Sequence, residues 1–252
     1  MTNILRRRWA EMRLAVVLLT RLPVGRMQDS ATTLAEARWA FPFVGVIAGG
    51  GLWAILHLAL ALGVSPLGAA FLALGGLVLL TGGLHHDGLA DFADGIGGGW
   101  DRERRLEIMR DSRIGSYGVL ALIFAVGIGM AGVADLGPSL TLAAAIFVSV
   151  LSRLAMLGVL LFMPAARADG LGHAAADSAN LSWVPAALFV VALGLVIGLP
   201  AAVVLAAMSL VSLVIARLAQ SRIGGQTGDV LGAVQYIAET TGWLVLSATL
   251  AT

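Results

Sequence analysis

The chain has 252 residues, 59% of them hydrophobic and 12% charged, with 16 basic against 15 acidic side chains. A mean hydropathy of +0.92 excludes an ordinary soluble domain, and the balanced charge offers no basic surface for nucleic acid. Cysteine is absent, which excludes disulfide frameworks, thiolate metal sites and cysteine nucleophiles.

Apolar runs long enough to cross about 30 Å of hydrocarbon recur along the chain, without the alternation of barrel strands. They predict an all-α, polytopic membrane protein forming one catalytic domain over 1–252. Residues 1–30 are basic and amphipathic, with RRRWAEMRLAVVLLTRLPVGR at their centre and Trp9 as an interface anchor. They predict an interfacial helix and not a cleavable signal, because the apolar part is short and carries Glu11 and Arg13. Seven spans follow: about 38–62, 67–84, 117–136, from the Gly137-Pro138 turn to about 164, 183–199, 200–217 and 229–250. Loops at 1–37, 85–116, 163–182 and 217–228 hold nearly all the arginines, whereas 63–66, 137–138, 199–200 and the C-terminus hold none. That asymmetry predicts an inner-membrane protein with the first set of loops in the cytoplasm. It also makes 85–116 and 217–229 the expected active-site segments.

The second span runs into LHHDGLADFADGIGGG, residues Leu84 to Gly99, where Asp87, Asp91 and Asp94 fall within eight residues. On a helix they lie at about 0°, 40° and −20°, sharing one face. Carboxylates this close repel one another unless a cation joins them. Hard divalent ions such as Mg²⁺ take oxygen ligands and keep waters and substrate phosphates in their shell, so this face suits Mg²⁺ holding a pyrophosphate. A solvated acidic helix end is the plain alternative, disfavoured because charge bordering a membrane helix is costly. Adjacent His85 and His86 fit tetrahedral zinc poorly and are candidates to contact a phosphate or orient an Asp.

In RDSRIGSYG, Arg110 to Gly118, Ser112 and Arg113 are candidates for binding phosphate oxygens, the guanidinium as a bidentate donor. Asp111 is a candidate to orient that Arg or join the metal shell. Arg102, Arg104 and Arg105 read as ordinary cytoplasmic-loop charge. The third element, GGQTGDVLGAVQYIAE from Gly224 to Glu239, begins as a glycine turn and becomes a helix with Asp229 at its start, a natural capping position. Gln226, Thr227, Asp229, Gln235 and Glu239 together are too polar for an ordinary span. Glu239 lies about 15 Å along the helix from Asp229, at the depth of Arg153 in the fourth span, which predicts either an Arg153–Glu239 pair or a lined cavity.

These stretches, HHDGLADFADG, RDSRIGSYG and GGQTGDVLGA, together with the early LLTRLPVG, closely resemble the adenosylcobinamide-GDP ribazoletransferase family, also called cobalamin-5′-phosphate synthases. The resemblance keeps their order and covers nearly the whole chain. One position departs, His86, where an apolar residue is expected; the three Asp are untouched. The resemblance implies an integral membrane, Mg²⁺-dependent enzyme of late cobalamin assembly. Such an enzyme transfers the adenosylcobinamide phosphoryl group from its GDP conjugate to α-ribazole or its 5′-phosphate and releases GMP. On that basis Asp87 and Asp91 hold metal, Asp94 holds metal or acts as base, and Asp229 completes the acidic site. Arg113 stabilises charge on the phosphoryl or the departing GMP, so Asp91, Asp94 and Arg113 are the expected catalytic groups. His85, His86, Ser112, Arg113, Gln226 and Thr227 are the expected substrate contacts. The implied partners are the two substrates and the lipid bilayer, with a homo-oligomer and other cobalamin-assembly enzymes as further candidates.

Two other readings of the residues are an intramembrane prenyltransferase and a cation transporter. The first also binds a diphosphate through Asp clusters and Mg²⁺, but needs a lipid-facing apolar groove. The second would line a path with Asp87, Asp91, Asp94, Asp229 and Glu239, against which stand the one-sided cluster and the lack of an internal repeat.

Overall fold

A computed structural model describes residues 2–25, 32–175 and 181–250; the end of the N-terminal segment at 26–30 and part of the polar loop at 176–180 lie outside them. The helices are α1 (Thr2–Leu19), α2 (Leu34–Ala37), α3 (Val44–Ala61), α4 (Pro66–Thr81), α5 (Leu84–Gly98), α6 (Arg102–Ile108), α7 (Ser116–Leu136), α8 (Leu142–Phe162), α9 (Gly170–Ala175), α10 (Val184–Ile197), α11 (Leu199–Ile223) and α12 (Gly228–Leu250). Among the described residues there is no strand, only an isolated pairing of Ala165 with Gln226. The chain is an all-α polytopic membrane protein, as its composition requires.

Seven crossings were expected, and the described residues supply fewer by length and apolarity. The helices α3, α7, α8 and α11 qualify, and α4 with α5 makes a fifth only if the two are one broken span. The 14 residues of α10 rise about 21 Å, short of the hydrocarbon thickness. Gln235, Glu239 and Thr240 keep α12 out of the set. Its position explains this: α12 runs through the bundle, packed against α5, α7, α8 and α11, and buries those three polar residues together with Trp243 and Leu246. A helix shielded by other helices does not meet lipid, so its sequence is released from the demand for an apolar surface. The helices around it turn Phe71, Leu79, Phe124, Leu195 and Leu210 outward.

The predicted 67–84 span does not run straight into the acidic motif. Gly82 and Gly83 both take left-handed backbone, φ +67° and +71°, a conformation glycine adopts at little cost, and α5 leaves α4 at 90°. Helix α5 therefore runs across the bundle at a right angle to α4. It rests between the first turns of α12 and α7. On the far side of the bundle, Gly45 and Gly49 of α3 face the α8 backbone at Ser149–Val150 and Ala145–Ile146, where any Cβ would collide. Small residues four apart let two membrane helices approach to backbone contact. At the N-terminal end, α1 buries Ala15, Val16 and Leu19 against the protein and exposes Ile4, Leu5 and Trp9, as befits an interfacial helix. Its buried Glu11 is held by Arg7 at 3.1 Å, Arg8 at 2.8 Å and the Trp39 indole N–H at 2.6 Å.

The Arg153–Glu239 pair forms as expected. Arg153 Nη1 lies 3.3 Å from Glu239 Oε1 and donates to the Ser149 carbonyl at 2.9 Å. Ser149 Oγ and Gln235 Nε2 donate to the two carboxylate oxygens at 2.8 and 2.9 Å. Gln235 also reaches Ser152 Oγ at 3.0 Å. Every partner comes from α8 or α12, so the network locks the central helix to its neighbour. Removing one ion leaves the other buried and unpaired, a loss of roughly 3–5 kcal/mol. Glu239→Ala is accordingly expected to lower the melting temperature in detergent sharply, and the double variant Arg153→Leu/Glu239→Leu to recover most of the loss.

Candidate active site

The site begins with a helix crossing. Helices α5 and α12 meet at Gly88 and Gly232, where a Cβ on either residue would lie 3.1 Å from the other's Cα. A Cβ at either position would push the facing backbone back by a few tenths of an ångström. The close approach sets Asp87 and Asp91, to either side of Gly88 along α5, beside Asp229 in the first turn of α12. Asp87 is exposed, while Asp91 and Asp229 are half-buried. Burial first, and then the negative charges of Asp87, Asp229 and Asp94, push the Asp91 carboxyl up to about 7. Thr227 Oγ1 donates to Asp229 Oδ2 at 3.2 Å and accepts the Val230 N–H at 3.3 Å, so it closes the start of α12 and orients the carboxylate. A cation that the sequence did not single out stands here: Arg167 Nη1 is 3.7 Å from Asp229 Oδ2. Arg167 also donates to the Leu106 carbonyl at 2.8 Å. In sequence it resembles any other arginine of a cytoplasmic loop, and only the return of the 163–170 segment against α12 brings it to the site.

Asp94 is set apart from the other carboxylates. It is 7% exposed, and its two oxygens accept the Gly115 N–H at 2.7 Å and the Gly118 N–H at 2.9 Å. Gly115 precedes the first residue of α7, so a side chain from α5 caps α7 from outside and meets its positive end. A Cβ at Gly115 or Gly118 would strike this carboxylate, which gives the two glycines of IGSYG their purpose. Ser112 and Arg113 are not brought to the acidic pair. Ser112 is exposed, and Arg113, with its side chain 86% exposed, pairs with Asp111 at 2.7 Å. That contact holds the Asp111 carboxyl down at about 2.

The remaining expected contacts divide. Gln226 is buried, donates to the Gly172 carbonyl at 3.2 Å and is fixed through its backbone to Pro164 and Ala166. His86 stacks on Tyr236 with ring centroids 3.9 Å apart. His85 is 4% exposed, and its Nε2 makes no hydrogen bond. The loop arginines are more than loop charge: Arg102 donates to the carbonyls of Ile223 and Ala166 at 2.9 and 2.8 Å, and Arg110 grips Asp169 at 2.7 Å. They stitch the polar end of the bundle around the acidic pair.

Among the described residues no three Asp, Glu, His or Cys converge closely enough to enclose a metal by themselves. Asp87, Asp91 and Asp229 nevertheless suit Mg²⁺. They offer oxygen only, and an ion that retains waters and substrate phosphates needs few protein ligands. Burial first, and then the neighbouring carboxylates, raise the Asp91 carboxyl, and a bound cation offsets the second of these.

The family model of cobalamin-5-phosphate synthases matches residues 11–247. The chain belongs to this family. It is 41% identical to a protein of Bradyrhizobium diazoefficiens named adenosylcobinamide-GDP ribazoletransferase, over 98% of this chain and 96% of that one. A protein of the same name from Azorhizobium caulinodans is 44% identical, over 86% of this chain and 87% of its own. No solved structure matches. Membership sets aside the prenyltransferase and transporter readings.

Gly232→Ala forces α5 and α12 apart at the crossing. It is expected to lower stability by roughly 1–3 kcal/mol, read as a melting-temperature drop in detergent. Gly127→Ala, which meets open space, is expected to leave stability unchanged or raise it.

Proposed function

We propose that this bacterial membrane enzyme transfers the adenosylcobinamide phosphoryl group from adenosylcobinamide-GDP to α-ribazole or its 5′-phosphate. A ribose hydroxyl oxygen of the acceptor forms a new bond to the phosphorus that carries the cobinamide. The anhydride bond breaks, its electron pair leaves on the GMP oxygen, and the hydroxyl proton passes to a carboxylate. The observation that carries this reading is the meeting of Asp87, Asp91 and Asp229 with Arg167 at one end of the bundle.

Asp87 and Asp229 would hold Mg²⁺, which when bound neutralises charge on the pyrophosphate. Asp91 takes the proton, because a carboxyl at about 7 is matched to accept one near neutral pH. Asp94, with both oxygens engaged at α7, positions α5 and is neither ligand nor base in this scheme. Arg167 stabilises charge on the transferred phosphoryl. Ser112 and Arg113, on the exposed loop, meet the part of the bulky donor that extends beyond the acidic pair. Arginine-rich loops gather at this end, which supports a site facing the cytoplasm across the inner membrane. All of these groups come from one chain, so the scheme requires neither a second copy nor another cobalamin-assembly enzyme.

The expected outcomes fall into two assays, GMP release and thiol labelling. With adenosylcobinamide-GDP and α-ribazole, GMP release by the detergent-purified protein stops in EDTA and returns with Mg²⁺. Folded Asp91→Asn loses roughly 10²–10⁴-fold in rate. The wild-type rate falls as pH is lowered through a midpoint at or below 7, since protonation removes the base and a bound cation lowers its pKa. A folded Asp91→Asn with wild-type rate sinks the assignment. Separately, the chain lacks cysteine, so single Glu103→Cys and Ser139→Cys variants report sidedness. A membrane-impermeant thiol reagent is expected to label the first only from the cytoplasmic side and the second only from the outside; the reverse pattern overturns the orientation.

A further inference from the structure

Beside the acidic pair lies a cavity of about 240 Å³. Its walls are apolar: Leu19 from α1, Phe41 ahead of α3, Met156 and Leu160 from α8, and Leu231 from α12. One end is formed by His85, Asp87 and Asp229. Its volume is below the roughly 300–1,000 Å³ of pockets that hold whole drug-sized ligands, so it takes one flat ring system and not a corrin. Walls of Leu, Phe and Met favour a ring with few hydrogen-bonding edges, since each edge left unpaired against them costs free energy, while Asp87 and Asp229 are taken up by the ribose. Guanine, the base of the donor, has many such edges. A benzimidazole does not, having a broad apolar body and, once joined to ribose, a single ring nitrogen free to accept. His85 lines the slot, but its unpartnered Nε2 is buried away from that space and meets a bound ring only if the imidazole turns.

We infer that this cavity is the base subsite of the acceptor. The benzimidazole of α-ribazole stacks among Phe41, Met156 and Leu160, beside His85, and its ribose points to Asp87 and Asp229. The inference rests on the proposed transfer reaction and adds to it which substrate sits where. Holding the base in the apolar slot fixes the ribose hydroxyl beside Asp87 and Asp229, which lowers the entropic cost of reaching the transition state. It also gives α1 a role in the enzyme: the interfacial helix supplies one wall of the slot.

The test uses the full chain in detergent. Leu160→Phe fills the slot and is expected to raise KM for α-ribazole at least tenfold and to lower kcat, with KM for adenosylcobinamide-GDP within about twofold of wild type. Met156→Ala widens the slot and is expected to shift kcat/KM toward ribosides of bulkier bases by fivefold or more. Free 5,6-dimethylbenzimidazole is expected to inhibit competitively against α-ribazole and not against the donor, and to lose its effect in Leu160→Phe. Unchanged α-ribazole KM in folded Leu160→Phe, together with unchanged selectivity in Met156→Ala, overturns the subsite. So does competition by added phospholipid with 5,6-dimethylbenzimidazole for the wild type alone, which would mark the slot as an acyl-chain site. Equilibrium dialysis of 5,6-dimethylbenzimidazole against wild type and Leu160→Phe separates the two claims. Binding lost in the variant, with no GMP formed by the wild type, fails the transfer reaction and keeps the slot; GMP formation without such binding does the reverse.

Discussion

The crossing of α5 over α12 at Gly88 and Gly232 is the constraint on which the site depends. Three carboxylates repel one another, and Arg167 beside Asp229 offsets only part of that repulsion, so the Asp91 carboxyl stays raised. Packing brings them together. Backbone contact between two glycines leaves no room for the helices to separate without opening a void, and the Gly82-Gly83 turn aims α5 across the bundle so that the contact is made. The asymmetry of the result follows from the same geometry. Asp94, one turn beyond Asp91, has reached the N-terminus of α7 and is neutralised there by two backbone N–H groups. Asp87 and Asp91 stay short of it, with charge left to spend on a ligand.

A central polar helix holds this arrangement in place. The interior of α12 carries Gln235 and Glu239 at a depth where lipid-facing residues are apolar, and α8 answers with Ser149, Ser152 and Arg153. Buried charges of this kind contribute little net stability against an apolar substitute, but they penalise every register in which they are unpaired. The register of α12 fixes where Asp229 emerges, so the network in the bundle and the carboxylate at its end are coupled through one rigid helix. At the polar end, arginines that hydrogen-bond to carbonyls of other segments perform the corresponding task for the loops.

Much of the fold was legible in the sequence. Long apolar runs have one stable solution in lipid, the helix, because no water is present to satisfy an open backbone. The Arg153–Glu239 pair was legible for a related reason: isolated charges at that depth must find each other. The number of crossings was less so. Apolarity measures exposure to lipid, and α12 is surrounded by protein, while α10 is apolar and short. The bend after α4 carried a signal in Gly82-Gly83, although in a chain with 32 glycines that signal is weak until the backbone is seen.

The sequence by itself determined the family and the helical membrane class, and it singled out Asp87, Asp91, Asp94 and Asp229 as candidates, since each is written in contiguous stretches whose chemistry does not depend on distant contacts. The tertiary structure decided how those residues divide the work. Three aligned Asp look equivalent on a helical wheel, and only the position of α7 separates Asp94 from the others. Arg113 and Arg167 look alike as loop arginines, and only the return of the chain after α8 puts Arg167 beside Asp229 while Arg113 stays on the surface with Asp111. The apolar slot is built from α1, α8, α12 and the segment before α3, so no single stretch of sequence contains it; it exists because helices distant in the chain are packed side by side.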